Sequence, residues 1–126
     1  MRALLFALLL ALAGGFGLPV LAAPGPTLRF EHLGVDDGLA QESVLAMTQD
    51  PDGFMWFGTQ YGLSRFDGYR FINFRNVVGD PTTLGNNWVR VLHVDPKGRL
   101  WIGSDGGLDL YDPATQGFRH YRPEEP

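Results

Sequence analysis

Three histidines, His32, His93 and His120, are the first residues to test for chemistry, because imidazole is the commonest metal ligand and a frequent general base. His32 and His120 fall at the same place in a repeated pattern, and Asn73 takes that place in the copy between them. A position shared by repeats predicts a strand or turn contact rather than a ligand. His93 lies beside Val91 and Val94 in a strand-like run, so no metal is expected. The stretch Asp50-Pro51-Asp52-Gly53 lacks the alternating acids and distal Glu of a calcium loop and reads as a turn. Ser104–Gly107 and Gly79–Pro81 are too short to cradle phosphate, and no Walker-type lysine motif occurs. Ser43, Ser64 and Ser104 have no nucleophile-elbow setting. Cysteine is absent, which removes thiolate nucleophiles and disulfides. Acidic residues are plentiful, and no two of them can be paired as acid and base from one sequence. A carbohydrate-active enzyme therefore stays as the alternative to a binding protein.

Binding chemistry is better represented. Gln60, Tyr61, Asn86, Asn87, Trp88 and Asp105 sit in loops, with Gln41 and Glu42 in a further one. Amides and acids can hydrogen-bond a polar ligand, and aromatic rings can stack on a sugar. These six are the candidate ligand-binding residues. Trp88 aligns with Ser43, so the repeat does not demand it; packing is its first expectation and a surface contact its second.

The elements that must position these residues come from a repeat. Asp37–Asp67 laid over Thr82–Asp112, a shift of 45, gives ten identities in 31 positions. They are Leu39/Leu84, Val44/Val89, Asp50/Asp95, Pro51/Pro96, Gly53/Gly98, Trp56/Trp101, Gly58/Gly103, Gly62/Gly107, Leu63/Leu108 and Asp67/Asp112. A period near 45 is that of propeller blades, which hold four strands each. Each copy divides accordingly: Val44–Gln49 or Val89–Val94, then Phe54–Gly58 or Arg99–Gly103, then Gly62–Asp67 or Gly107–Asp112, then Arg70–Phe74 or Phe118–Tyr121. The Asp-Pro-x-Gly turns end the first strands. "FMWF" is apolar on both faces, as a strand sandwiched between sheets permits. Trp56 and Trp101 recur with the blade and read as core. Gly58 and Gly103 mark close backbone approach. Leu28–Leu33 resembles a lone fourth strand, the outer strand that would complete the last blade of a closed ring.

The linked motifs Gly38-Leu39, Val44, Asp50, Gly53, Trp56-Phe57-Gly58-Thr59 and Gly62-Leu63-Ser64-Arg65-Phe66-Asp67 resemble the two-component regulator propeller repeat. The second copy departs from it modestly, with Ser104 for Thr59 and Leu110 for Arg65. The resemblance spans about residues 28–122. It implies an all-β fold of four-stranded antiparallel blades, here about two blades and a leading outer strand in an incomplete ring. It further implies the N-terminal part of the extracytoplasmic, ligand-sensing propeller of a membrane-spanning histidine kinase or diguanylate cyclase. No cofactor and no chemistry are expected in this portion. The partners implied are the remaining blades and a polar small molecule or oligosaccharide. A third possibility is an exported binding protein that builds its ring from several copies.

The outer segments and the charge fit export. Residues 1–22 carry Arg2, an apolar run of 11 residues from Ala3 to Ala13, a Gly/Pro-rich break, and small residues at Val20 and Ala22. This is the layout of a secretory signal peptide cleaved after Ala22. The run is shorter than the roughly 20 residues of a bilayer span, so an uncleaved anchor is the lesser alternative. Residues 23–27 are a linker, 38–75 and 83–122 the two repeats, and 123–126 a tail. Without Arg2, 9 basic residues face 14 acidic ones. The basic residues are scattered singly, which excludes a nucleic-acid footprint.

Overall fold

In the repeated Asp-Pro-x-Gly stretch, local hydrogen bonds dictate a hairpin. Asp50 Oδ1 accepts the N–H groups of Asp52 and Phe54, both at 3.0 Å. Gly53 adopts φ 89°, a conformation that side chains disfavour. The chain reverses there between β1 (Val44–Gln49) and β2 (Met55–Thr59). Asp95 does the same through Lys97 and Arg99, both at 2.9 Å, between β5 (Val89–Val94) and β6 (Leu100–Ser104). β3 (Gly62–Phe66) and β4 (Phe71–Phe74) complete the first unit, and β7 (Gly107–Asp112) and β8 (Gly117–Tyr121) the second.

The structure, a computed structural model, describes residues 21–123. Residues 1–20, and with them nearly all of the expected signal peptide, lie outside the described residues, as do residues 124–126 of the tail. Among the described residues every strand lies between Val44 and Tyr121. Two four-stranded sheets form, ordered β1-β2-β3-β4 and β5-β6-β7-β8, antiparallel throughout. They are the expected meanders, with strand ends shifted by at most one residue. The ring is open.

The core lies between the sheets. Trp56, Leu63, Leu84, Val89 and Ile102 are fully buried. The Trp56 ring meets Tyr111 edge-on at 4.8 Å, and Phe74 packs on Phe118 at 5.6 Å. Arg65 reaches across as well, donating from Nη1 to the Tyr111 hydroxyl at 3.2 Å. Gly58 marks a close approach of the second unit: a Cβ there would stand 2.5 Å from Val89 Cγ1. Repetition makes the other faces readable. Leu63 is 0% exposed but its counterpart Leu108 is 41% exposed, because only the Trp56 face of the first sheet is covered by the second.

One expected element is missing among the described residues. Leu28–Leu33 forms no strand, and Leu28 and Phe30 are exposed. A fourth strand needs a third to pair with, and both β3 and β7 already pair with β4 and β8.

Candidate functional site

Antiparallel pairing sends the β2–β3 turn, the β6–β7 turn and the segments preceding β1 and β5 to one end of the blades. Thr59 builds the first of these turns. Its hydroxyl donates to Gly62 O at 2.8 Å and accepts the Tyr61 N–H at 3.0 Å. Gly62 adopts φ 117°, and a Cβ there would lie 2.7 Å from Phe74 O. This turn leaves Tyr61 54% exposed, with the Arg75 guanidinium 4.8 Å from its ring centroid. Arg75 is fixed in turn, donating from Nε to Tyr61 O at 3.2 Å and from Nη2 to Ala40 O at 3.3 Å.

The segment before β5 meets the same turn. Gly62 N donates to Asn87 O at 2.7 Å, so Asn87 lies beside Tyr61. Asn86 and Asn87 have work inside the loop. Asn86 Oδ1 accepts the Trp88 N–H at 2.8 Å, and Asn87 Oδ1 accepts the Asn76 N–H at 2.7 Å. Their Nδ2 groups carry no hydrogen bond among the described residues. Asp105 N donates to Trp88 O at 3.2 Å, which ties the β6–β7 turn to this segment. Gln60 is half-buried and its N–H donates to Ser43 O. Two groups therefore emerge, Gln60, Tyr61 and Asn87 around the first turn, and Asn86, Trp88 and Asp105 around the second.

Two arginines complete these groups and were not legible as site residues. Arg90 pairs with Asp105 through Nε, and its Nη2 lies 3.2 Å from Asp105 Oδ2. The same guanidinium lies 5.4 Å from the Trp88 ring centroid. The Arg90 hydrogen bond holds Asp105 below the ordinary carboxylate range, and Asp105 raises Arg90. Arg90 reaches Asp105 from a β-bulge between Val89 and Val91. A matching bulge occurs between Val44 and Ala46, so it is a feature of the repeat. Strand alternation alone does not reveal it.

The repeat positions have structural tasks. Asp95 Oδ2 accepts the Trp101 indole N–H at 3.0 Å, and Asp50 Oδ2 accepts that of Trp56 at 2.8 Å. The Trp101 bond, aided by Arg99, holds the Asp95 carboxyl well below its ordinary range. Asp67 and Asp112 cap the β3–β4 and β7–β8 turns through Arg70 N at 2.9 Å and Ala114 N at 3.0 Å. His120 is a turn contact, held between Asp109 and Pro81. Among the described residues no group of three or more His, Asp and Glu side chains could hold a metal ion. A cavity of about 670 Å³ lies elsewhere, in the seam floored by Phe74, Leu84 and Phe118. Of the residues discussed above, only Arg75 joins its lining from the candidate groups.

Two packed four-stranded meanders, joined by an aromatic seam and open at both outer faces, are blades of a β-propeller. Residues 38–61 and 83–106 each match the two component regulator propeller. The extracellular domain assigned to the hybrid two component system BT3049 of B. thetaiotaomicron superposes with a TM-score of 0.67 at 36% identity. That match covers 76% of this chain and 14% of the other. The extracellular domain assigned to the hybrid two component system BT4673 of the same organism gives 0.55 at 36% identity, covering 63% and 11%. Histidine kinase P4 of Formosa agariphila is 39% identical over 64 residues, 51% of this chain and 5% of the kinase. The chain thus spans a small part of the relatives it matches. Among the described residues no helix is long and apolar enough to cross a membrane.

Proposed function

We propose that this chain is the N-terminal part of the extracytoplasmic sensor propeller of a membrane-spanning signalling protein, a histidine kinase or diguanylate cyclase. Its role is to bind and report, with no chemistry in these two blades. The observation that carries this is the uncovered Trp101 face. Leu108 and Tyr121 are 41% and 42% exposed there, whereas the equivalent Leu63 is fully buried under the second blade. A third repeat, packed as the second packs on the first, would cover that face. The similarity to extracellular domains of two component systems supports the same reading. On this reading residues 1–22 export the chain, and Leu28–Leu33 pairs with the last blade.

The ligand is a polar small molecule or oligosaccharide, met by Gln60, Tyr61, Asn86, Asn87, Trp88 and Asp105. The exposed rings of Tyr61 and Trp88 offer stacking surfaces, and the Nδ2 groups of both asparagines offer donors. The test is alanine substitution of Tyr61, Asn86, Asn87 and Trp88 in the full-length protein, reading signalling output. Loss of ligand response with normal folding supports this face. An unchanged response rejects it, and loss on changing Asp52 and Lys97 instead assigns the opposite end.

A further inference from the structure

Inside the chain one seam joins blade to blade, and three contacts make it. Val89 is fully buried and seats on Gly58, where a Cβ would stand 3.2 Å from Val89 Cβ. Gly62 N donates to Asn87 O at 2.7 Å, and Val89 N donates to the same oxygen at 3.1 Å. Arg65 Nη1 donates to the Tyr111 hydroxyl at 3.2 Å. The first blade thus supplies a hollow at Gly58 and donors at Gly62 and Arg65. The second supplies the knob, the carbonyl and the hydroxyl.

The outer face of the second blade repeats the hollow, and the outer face of the first repeats the knob. Gly103 corresponds to Gly58, and a Cβ there meets only Val91, at 3.4 Å. Val44 corresponds to Val89 and is exposed. Gly107 corresponds to Gly62, and among the described residues no carbonyl of a neighbouring blade reaches its N–H. Glu42 corresponds to Asn87, and its carbonyl accepts Val44 N at 3.1 Å, as Asn87 O accepts Val89 N. The third contact changes character on both sides at once. Leu110 stands in the place of Arg65, and Phe66 in the place of Tyr111. Losing guanidinium and hydroxyl together leaves no orphaned polar group, so an apolar pair costs little there. Had only one of them changed, a buried polar group would stand without its partner.

We infer that the two outer faces are complementary halves of one seam, and that a second copy of this chain docks on the first head to tail, Val44 of one copy on Gly103 of the other. Like faces do not fit. Two second-blade faces bring hollow to hollow, and two first-blade faces bring knob to knob, so the contact is heterologous rather than isologous. Apolar surface supplies the drive on both sides. Met47 is exposed on the first-blade face, whereas its counterpart Leu92 packs on the core. Leu108 and Tyr121 are exposed on the second-blade face that would receive it. A third repeat, where one follows, competes for the same hollow. The docking rests on the seam alone and needs no ligand.

The chain has no cysteine, so single variants V44C and G103C of the 126-residue chain read the pairing directly. Val44 is exposed and Gly103 is open, so neither change disturbs the fold. Equal amounts are mixed and oxidised with glutathione disulfide, and the products are identified by mass spectrometry. A disulfide needs Cβ atoms about 3.5–4.5 Å apart, close to the spacing at Gly58 and Val89, and the intrachain G58C/V89C disulfide is the positive control. Head-to-tail docking predicts the mixed V44C–G103C disulfide about tenfold above either like pair, where random collision gives about twofold. Adding M47E to the V44C chain sets a charge in the docked face and should return the ratio to the random value. The G58C/V89C disulfide should still form with M47E present, which shows that the blades remain folded. A random ratio without M47E, or an excess of like pairs, would overturn head-to-tail docking. So would a mixed excess that M47E leaves unchanged. None of these results bears on whether the loops bind a ligand or on what the gene encodes beyond codon 126.

Discussion

Adding one methyl group at Gly58 tests the seam between the blades. Its Cβ would stand 2.5 Å from Val89 Cγ1 and 3.2 Å from Val89 Cβ, where about 3.5 Å or more is comfortable. Neither side can yield easily. Val89 is fully buried and its χ1 is stiff because it is β-branched. The blades must part or Val89 must leave its rotamer, and overpacking of this kind costs about 1–3 kcal/mol. Gly103 is the matched control. A Cβ there meets only Val91, at 3.4 Å, because no blade lies over it. Alanine in place of a strand glycine gains about 0.5–1 kcal/mol in backbone entropy, so G103A should be neutral or stabilising. The assay is urea unfolding followed by tryptophan emission at matched protein concentrations. V89A should rescue G58A, giving a favourable coupling energy in the double-mutant cycle. Equal effects of G58A and G103A, or no rescue, would refute the seam as described.

Three further outcomes follow from the same structure. Asp67, Asp80, Asp95 and Asp105 are each held below the ordinary carboxylate range, by the Arg70 N–H, the Thr82 hydroxyl, the Trp101 indole and Arg90 respectively. Their folded-state values lie below the unfolded ones, so their contribution is present above about pH 4 and lost as pH falls further; a urea midpoint unchanged between about pH 5 and pH 2.5 would contradict this. The chain alone should associate through its uncovered apolar faces, with a sedimentation mass that rises with concentration and is lowered by L108E or Y121E. A sharply unfolding monomer unaffected by either change would contradict it. Asp95→Asn should leave the fold intact yet weaken the Trp101 tie, shifting Trp101 emission and raising its acrylamide quenching; Asp105→Asn should leave both unchanged.

The strands were legible because the sequence marks their ends twice over. Asp50 and Asp95 bond their own turns, Gly53 and Gly98 take positive φ, and the same residues recur 45 positions apart. The meaning of Gly58 was legible too, as close approach, although Val89 as its neighbour was not. The bulges at Leu45 and Arg90 were hidden, since one extra residue in a ladder leaves no mark on composition. With them went the Arg90–Asp105 pair and the stacking of Arg75 on Tyr61. The repeat position of His120 marks a strand or turn contact, but the partners Asp109 and Pro81 depend on how the link segment returns to β8. The Leu28–Leu33 strand is the converse case. Its pattern is that of a strand, but pairing needs a neighbour, and a pattern in one segment does not supply one.

The claim that these are two blades of a longer sensor propeller is tested most directly by the coding sequence beyond codon 126. The account predicts further Asp-Pro-x-Gly and Trp-x-Gly pairs at a spacing near 45, with a residue able to seat on Gly103 where Val89 seats on Gly58. A membrane-spanning helix and a kinase or cyclase domain should follow them. A stop codon directly after Pro126, or a downstream hydrolase domain in place of further repeats, would contradict it.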